Sequence, residues 1–134
     1  MHEISNHNGV NILISEHFKY STEYGELQCH RMKVPEGMAG ELIIKVPKDK
    51  KALTIEEVFI ERKFRNTGLG SRLLSFAENT ARTLGFRSIE LRPFSTDPLV
   101  SDTKLQEWYT KRGYQPDGGK MYRRLNNQNF EVTS

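Results

Sequence analysis

Short apolar runs and loose alternations fill the first half of the chain, and a spacing of three and four takes over near its midpoint. GVNILIS at residues 9–15 is a compact apolar run that predicts a strand. After the polar, tyrosine-bearing stretch HFKYSTEYGE, LQCHRMKV at residues 27–34 alternates loosely and stops at Pro35, which predicts a second strand. PEGMAG, with one proline and two glycines, predicts a hairpin from there to ELIIKV, and Pro47 with the charged KDKK marks the next turn. LTIEEVFIER at residues 53–62 carries the strongest strand signal, dense in β-branched and aromatic side chains.

The period changes at Leu69. Leu69, Leu73, Phe76, Ala77, Thr80 and Leu84 fall on one helical face, which ends at Gly85. SIELRPF at residues 88–94 alternates again and is ended by Pro93. TKLQEWYTKRG is an amphipathic helix that Ser101 or Asp102 can cap and Gly113 can terminate. YQPDGGKMYRRL predicts two short edge strands around PDGG, or one strand with a turn. NNQNFEVTS at residues 126–134 has little to bury and reads as a flexible tail. The expected fold is therefore α+β, one domain over residues 1–125. Its mostly antiparallel sheet contains one βαβ unit, in which strands 53–62 and 88–94 run parallel and are joined by a right-handed crossover.

At 134 residues and 15.5 kDa the chain supports one sizeable core and not two ordinary domains. Twenty Lys plus Arg against seventeen Asp plus Glu leave a net charge of +3, which favours an anionic ligand without demanding nucleic acid. A nucleic-acid surface would set aromatic and basic side chains on one sheet face, whereas the basic residues concentrate around one loop. The single Cys29 excludes an intramolecular disulfide, and no apolar stretch reaches the roughly 18 to 20 residues of a membrane span. A reducing cytoplasm is the expected location. His2, His7, His17 and His30 show no metal-ligand spacing, so no metal is expected and surface positions are. Cys29 and His30 are strand neighbours that point to opposite faces and make a poor thiol–imidazole dyad.

The basic loop is RKFRNTGLGSRLL, residues 62–74, set between the strongest strand and the longest helix. A helix that starts just after a strand exposes its first N–H groups and its positive dipole end, an anion site if the backbone can be approached. Gly68 and Gly70 permit the approach, and Arg62, Lys63, Arg65 and Arg72 surround it. The same glycines also suit a plain turn; the four cations tilt the reading towards phosphate. A dinucleotide fingerprint would need glycine at Leu73, and no P-loop run is present.

RNTGLGS resembles the pyrophosphate-loop signature Q/R-x-x-G-x-G/A of the GNAT superfamily of acyl-CoA-dependent N-acyltransferases, with Arg65, Gly68 and Gly70 at the defining positions. LQEWYTKRGY resembles the same family's L-Y-x-x-x-G-F/Y element. The resemblance spans roughly residues 39–125 and implies a GNAT fold. That fold commonly has two helices after its first strand; only residues 15–26 are available for them here, so an abbreviated N-terminal helical region is expected.

The resemblance implies acetyl-CoA as cosubstrate, lying where strands 53–62 and 88–94 splay. Its pyrophosphate would rest on the amides of Asn66, Thr67, Gly68, Leu69, Gly70 and Ser71, and its pantetheine on the backbone of Val58, Phe59 and Ile60. An amine acceptor is mostly protonated at neutral pH, so a base or a proton-conducting water is needed, and Glu56 and Glu57 are the candidates. Related sequences favour Glu57 as base and Tyr109 as the acid for the departing thiolate; an edge carboxylate and a core aromatic beside Trp108 are the alternatives. Asp102 stands where the family often has an Asn on CoA, and as Asp it can equally cap the helix. Tyr20, Tyr24 and Tyr122 line an acceptor pocket or simply pack. The implied activity is acetyl transfer to a primary amine, on a protein or a small molecule, in a ternary complex. A non-catalytic CoA-binding or protein-interaction module is the rival, and the C-terminal strands offer an edge for a homodimer.

Overall fold

The computed structural model describes residues 2–7, 9–95 and 97–125; the expected tail, 126–134, lies outside the described residues. The elements are β1 (His2–His7), β2 (Val10–Thr22), β3 (Gly25–Val34), β4 (Gly37–Pro47), β5 (Leu53–Ile60), α1 (Leu69–Thr83), β6 (Ser88–Leu91), α2 (Asp102–Thr110), β7 (Gln115–Asp117) and β8 (Lys120–Arg124). One sheet holds all eight strands in the order β1-β2-β3-β4-β5-β6-β8-β7. Every neighbouring pair is antiparallel except β5 and β6, which are parallel and joined through α1. The architecture is α+β, a mixed sheet with one central βαβ unit.

The N-terminal helical region is abbreviated to nothing: no helix precedes β5 among the described residues. HFKYST instead continues the run at 9–15 into a 13-residue strand. Phe18, Tyr20 and Thr22 suit a pleated surface, and pairing with β3 at Cys29, Leu27 and Gly25 holds them there. β1 carries one strong apolar side chain, Ile4, and forms because β2 offers it an edge over Val10–Ser15. At the other end, the sheet edge on which a dimer would pair is β7, three residues long and containing Pro116, which has no N–H to give.

Alternation assigns the two sheet faces. Ile14, Met32, Leu42, Ile44, Ile89 and Leu91 share the face that α1 covers, and Leu73, Phe76, Ala77 and Ala81 close over them as the core. His30 is on this face too, buried against the Phe76 ring with centroids 5.1 Å apart, so the expectation of a surface histidine is corrected. Its Nε2 lies 2.9 Å from Gln28 Oε1, and burial lowers its pKa. α2 packs beside the N-terminal half of α1, where Arg112 donates to Ser71 and Tyr109 meets Tyr114, itself bonded to Glu78. Phe18, Leu27, Ile43, Lys45, Glu57 and Phe59 share the opposite face, which no described helix covers.

Two irregularities shape the middle of the sheet. Ile43 pairs with Glu57 but Ile44 pairs with Ile55, so β5 holds one extra residue, Glu56, in a bulge that bends it away from a flat ladder. The parallel pairing of β5 with β6 runs only from Leu53↔Ile89 to Ile55↔Leu91. Beyond it β5 continues through residues 56–60 with no strand on that side among the described residues. Gly40 keeps β4 close to that segment, since a Cβ there would meet Phe59 O at 2.6 Å.

Leu73, fully buried between α1 and the sheet, reports on the core directly. Leu73→Ala should lower unfolding stability by about 2–5 kcal/mol in urea with an unchanged m-value. A loss under about 1 kcal/mol would contradict the packing described.

Candidate functional site

The parting of β5 from β6 opens a cleft of about 690 Å³. β5 forms one wall, and residues 64–71 with α2 close its outer end; Arg92 and Phe94 stand beyond β6. Glu61 N–H bonds to Ala39 O on β4, and Arg65 Nε reaches the carbonyl of Ile60 from the other side. Backbone groups alternate along a strand, so Val58 and Ile60 direct theirs into the cleft, while those of Phe59 serve the pairing with Glu41. Of the three expected backbone contacts, Val58 and Ile60 are placed to make them, and Phe59 offers only its side chain.

The loop at the outer end has the backbone an anion site needs. Asn66 and Gly68 both adopt left-handed φ, 61° and 85°, and Gly68 stands at the N-cap of α1, so the first amides of the helix are turned outward. Gly70 matters for space: a Cβ would come within 3.3 Å of the Trp108 ring. Asn66, Gly68, Gly70 and Ser71 line the cleft. The Leu69 side chain goes into the core, and Thr67 turns its hydroxyl to Phe64 O and its carbonyl to His7.

The basic side chains take other parts than their number suggested. Arg65 is tied to Asp97 and to Ile60 O, and Arg62 lies 3.6 Å from the same carboxylate. Arg72 donates to Asn6 O at 2.7 Å, and the Lys63 ammonium rests 5.0 Å above the Phe64 ring. These contacts tie the loop to its surroundings, and Arg65 lines the cleft as well. The Arg65 bond, with help from Leu99 N–H, holds the Asp97 carboxyl below its usual pKa. Four cations line the cleft, Arg65, Arg92, Lys104 and Arg112. Arg112 stacks 3.8 Å from the Trp108 ring and donates to Ser71 Oγ at 2.7 and 3.0 Å, beside the helix amides. A Trp and an Arg four apart on a helix were the signal for this pair; Asp97, distant in sequence, gave none.

Through Arg72–Asn6 and His7–Thr67, the β1–β2 hairpin is bound to the loop although it forms the far edge of the sheet. Ser101, not Asp102, caps α2 by accepting from Lys104 N–H at 3.1 Å. Asp102 Oδ1 accepts instead from Ser95 N–H at 2.8 Å, steadying the loop after β6, and does not line the cleft.

Glu57 and Tyr109 both line the inner part of the cleft. Glu57 heads a transverse row on the uncovered face, Glu57–Ile43–Cys29–Phe18. Tyr109 is buried against Trp108 and Tyr114, and burial pushes its phenol up to about 12, with Arg112 opposing. Cys29, buried in the row with Glu57, is pushed up to about 11, chiefly by burial and then by Glu41. It is a thiol packed as a small apolar group. Tyr20 and Tyr24 are 63% and 79% exposed and do not line the cleft; the Tyr122 hydroxyl lies 3.3 Å from Gln115 Oε1. Among the described residues no group of three or more His, Cys, Asp or Glu could hold a metal, and no helix is long and apolar enough to cross a membrane.

The description "Acetyltransferase (GNAT) domain" matches residues 27–116. The chain belongs to the GNAT acetyltransferase family. Solved structures of similar fold include a GNAT acetyltransferase from Elizabethkingia anophelis with acetyl-CoA bound, at TM-score 0.65 and 15% identity, covering 85% of this chain and 98% of that one. A Bacillus anthracis protein named for streptothricin acetylation, in complex with acetyl coenzyme A, gives TM-score 0.63 at 16% identity over 75% of this chain. N-acetylglutamate synthase from Neisseria gonorrhoeae, with coenzyme A and N-acetyl-glutamate, gives 0.61 at 18% over 74%. The matched part is 63% of the Bacillus chain and 26% of the Neisseria chain. Identities this low carry the fold alone. No curated protein matches this GNAT chain.

A phenol raised from 10.0 to about 12 favours the folded state at every pH below its unfolded value and stops doing so as pH climbs through 12. Urea stability should therefore fall between pH 10 and 12, and Tyr109→Phe should remove about 3 kcal/mol of that fall, the raised Tyr114 phenol keeping its own share. An identical pH profile in the variant would show that Tyr109 is not desolvated.

Proposed function

We propose that the protein transfers an acetyl group from acetyl-CoA to a primary amine by direct attack, with both substrates bound at once. One observation carries this reading: the unpaired edge of β5, residues 56–60, runs from the outward-turned amides at Gly68–Ser71 to Glu57 and Tyr109 in one continuous cleft. A long, thin, amide-bearing chain with phosphates at one end matches that shape. Val58 and Ile60 extend strand-like hydrogen bonds to it, the amides of Asn66 to Ser71 and the Arg112 guanidinium take the phosphates, and Trp108 walls the channel. The acetyl-CoA in the Elizabethkingia and Bacillus structures supports the ligand.

Acetyl-CoA supplies an activated acyl group. The protein's residues hold a carbonyl against a β5 N–H, which stabilises charge developing on its oxygen. Glu57 accepts the proton that the amine must lose, directly or through one water, as its lone pair forms the new C–N bond and the C–S bond breaks. Tyr109 donates a hydrogen bond to the leaving sulfur. Full transfer from a phenol at about 12 to a thiolate of about 8.5 is uphill by about 5 kcal/mol, so the thiol's proton returns from the amine through Glu57 and solvent. We place the reaction in the cytoplasm, whose reducing surroundings suit the free Cys29. A non-catalytic CoA-binding module would share the cleft but not depend on Glu57 or Tyr109.

Calorimetric titration should show micromolar acetyl-CoA binding, lost in Gly68→Glu, which sets bulk and negative charge at the loop; equal affinity in the variant would remove the loop assignment. Glu57→Gln and Tyr109→Phe should each lower kcat about 10–100-fold with acetyl-CoA affinity within threefold of the parent. Full binding with no turnover in the parent on any amine would instead support the binding module.

A further inference from the structure

A second cavity of about 260 Å³ lies on the uncovered face of the sheet, where β5 and β6 part. It shares Ile55, Glu56, Leu91, Arg92 and Phe94 with the larger cleft, so the two meet at the last paired residues of the two strands. Lys45, Thr54, Glu90 and Lys120 belong to the second cavity alone. The larger cleft can take the thioester from one side, and this cavity gives a second molecule access to the same point from the other.

Its lining is charged and unequal. Lys45 is 3.4 Å from Glu56 and Lys120 is 3.7 Å from Glu90, two ion pairs that face each other across the floor. Arg92 makes no ion pair among the described residues, which leaves three cations against two carboxylates. An ammonium can exchange with Lys45 at Glu56, the carboxylate nearest the larger cleft. A carboxylate on the same molecule can take Arg92, whose guanidinium presents two parallel donors. A second positive charge would find only Glu90, already paired with Lys120, and would add to the excess at Arg92. The size also limits the guest, since drug-sized ligands fill about 300–1,000 Å³.

We infer that this second cavity is the acceptor site and that it takes a small amine that also carries a carboxylate, of amino-acid size, in preference to polyamines or protein lysines. The inference rests on the acetyl-transfer reading and adds the acceptor class to it.

The test measures thiol release from acetyl-CoA with the twenty amino acids, the amines formed by decarboxylating them, spermidine, and an N-terminally blocked lysine peptide. At least one amino acid should exceed its decarboxylated partner tenfold or more in kcat/KM. Lys120→Glu, which reverses the charge balance outside the cofactor cleft, should erase that ratio while acetyl-CoA affinity by calorimetry stays the same. The inference is overturned if decarboxylated amines, spermidine or the peptide serve as well, if no amino acid is acetylated, or if Lys120→Glu leaves the ratio intact. Calorimetry separates the two levels: without acetyl-CoA binding the transfer reading itself fails, whereas binding without this selectivity removes only the acceptor class.

Discussion

The extra residue in β5 is the constraint on which the site depends. A regular parallel pair would keep β5 and β6 at ladder spacing along their length, and the centre of the sheet would be closed. Glu56 bends β5 as it passes β4, the pairing with β6 ends at Ile55, and the strand leaves with one edge unsatisfied. Backbone groups at Val58 and Ile60 then need partners that the protein does not give them, apart from the Ile60 carbonyl that Arg65 takes. A ligand that is itself a chain of amides completes the sheet there. The bulge also decides which side chains share a face, because it sets Glu56 and Glu57 both towards the uncovered side, where Lys45 meets the first of them.

The loop at the end of β5 depends on the same strand. Arg65 grips Ile60 O and Asp97 together, so the segment leaving β5 and the loop leaving β6 are fixed to each other across the opening. With the frame held this way, Gly68 can keep its left-handed φ and present helix amides without help from the surrounding cations. Further charge reaches the cleft from Lys104 on α2 and from just past that helix, where Trp108 flattens Arg112 against Ser71.

Local signals made α1 legible from Leu69 to its end before Gly85, because its packing face follows one period throughout. The β3–β4 hairpin and the strand 53–60 were legible from their β-branched, apolar runs and from the PEGMAG turn, in spite of the bulges they carry. β1 and the second half of β2 were not: HEISNH and HFKYST gain their structure from each other's neighbours in the sheet, a pairing no window of the sequence contains. The glycine loop announced an anion site, whereas Asp97 and Asn6, the partners that hold Arg62, Arg65 and Arg72, are distant in sequence and gave no local signal. Alternation alone misplaces faces at three register shifts, after Glu16, after Met32 and at Glu56, and the second cavity is built around the last of them.

The family match begins at residue 27, but the hairpin before it is bonded to the heart of the matched region. Free energy that orders the loop around a ligand is therefore free energy that also tightens the hairpin, and by thermodynamic reciprocity anything that grips or frees the hairpin alters ligand affinity by the same factor. The first strand of this chain thereby acts as a handle on the site, gripping its loop at Thr67 and Arg72.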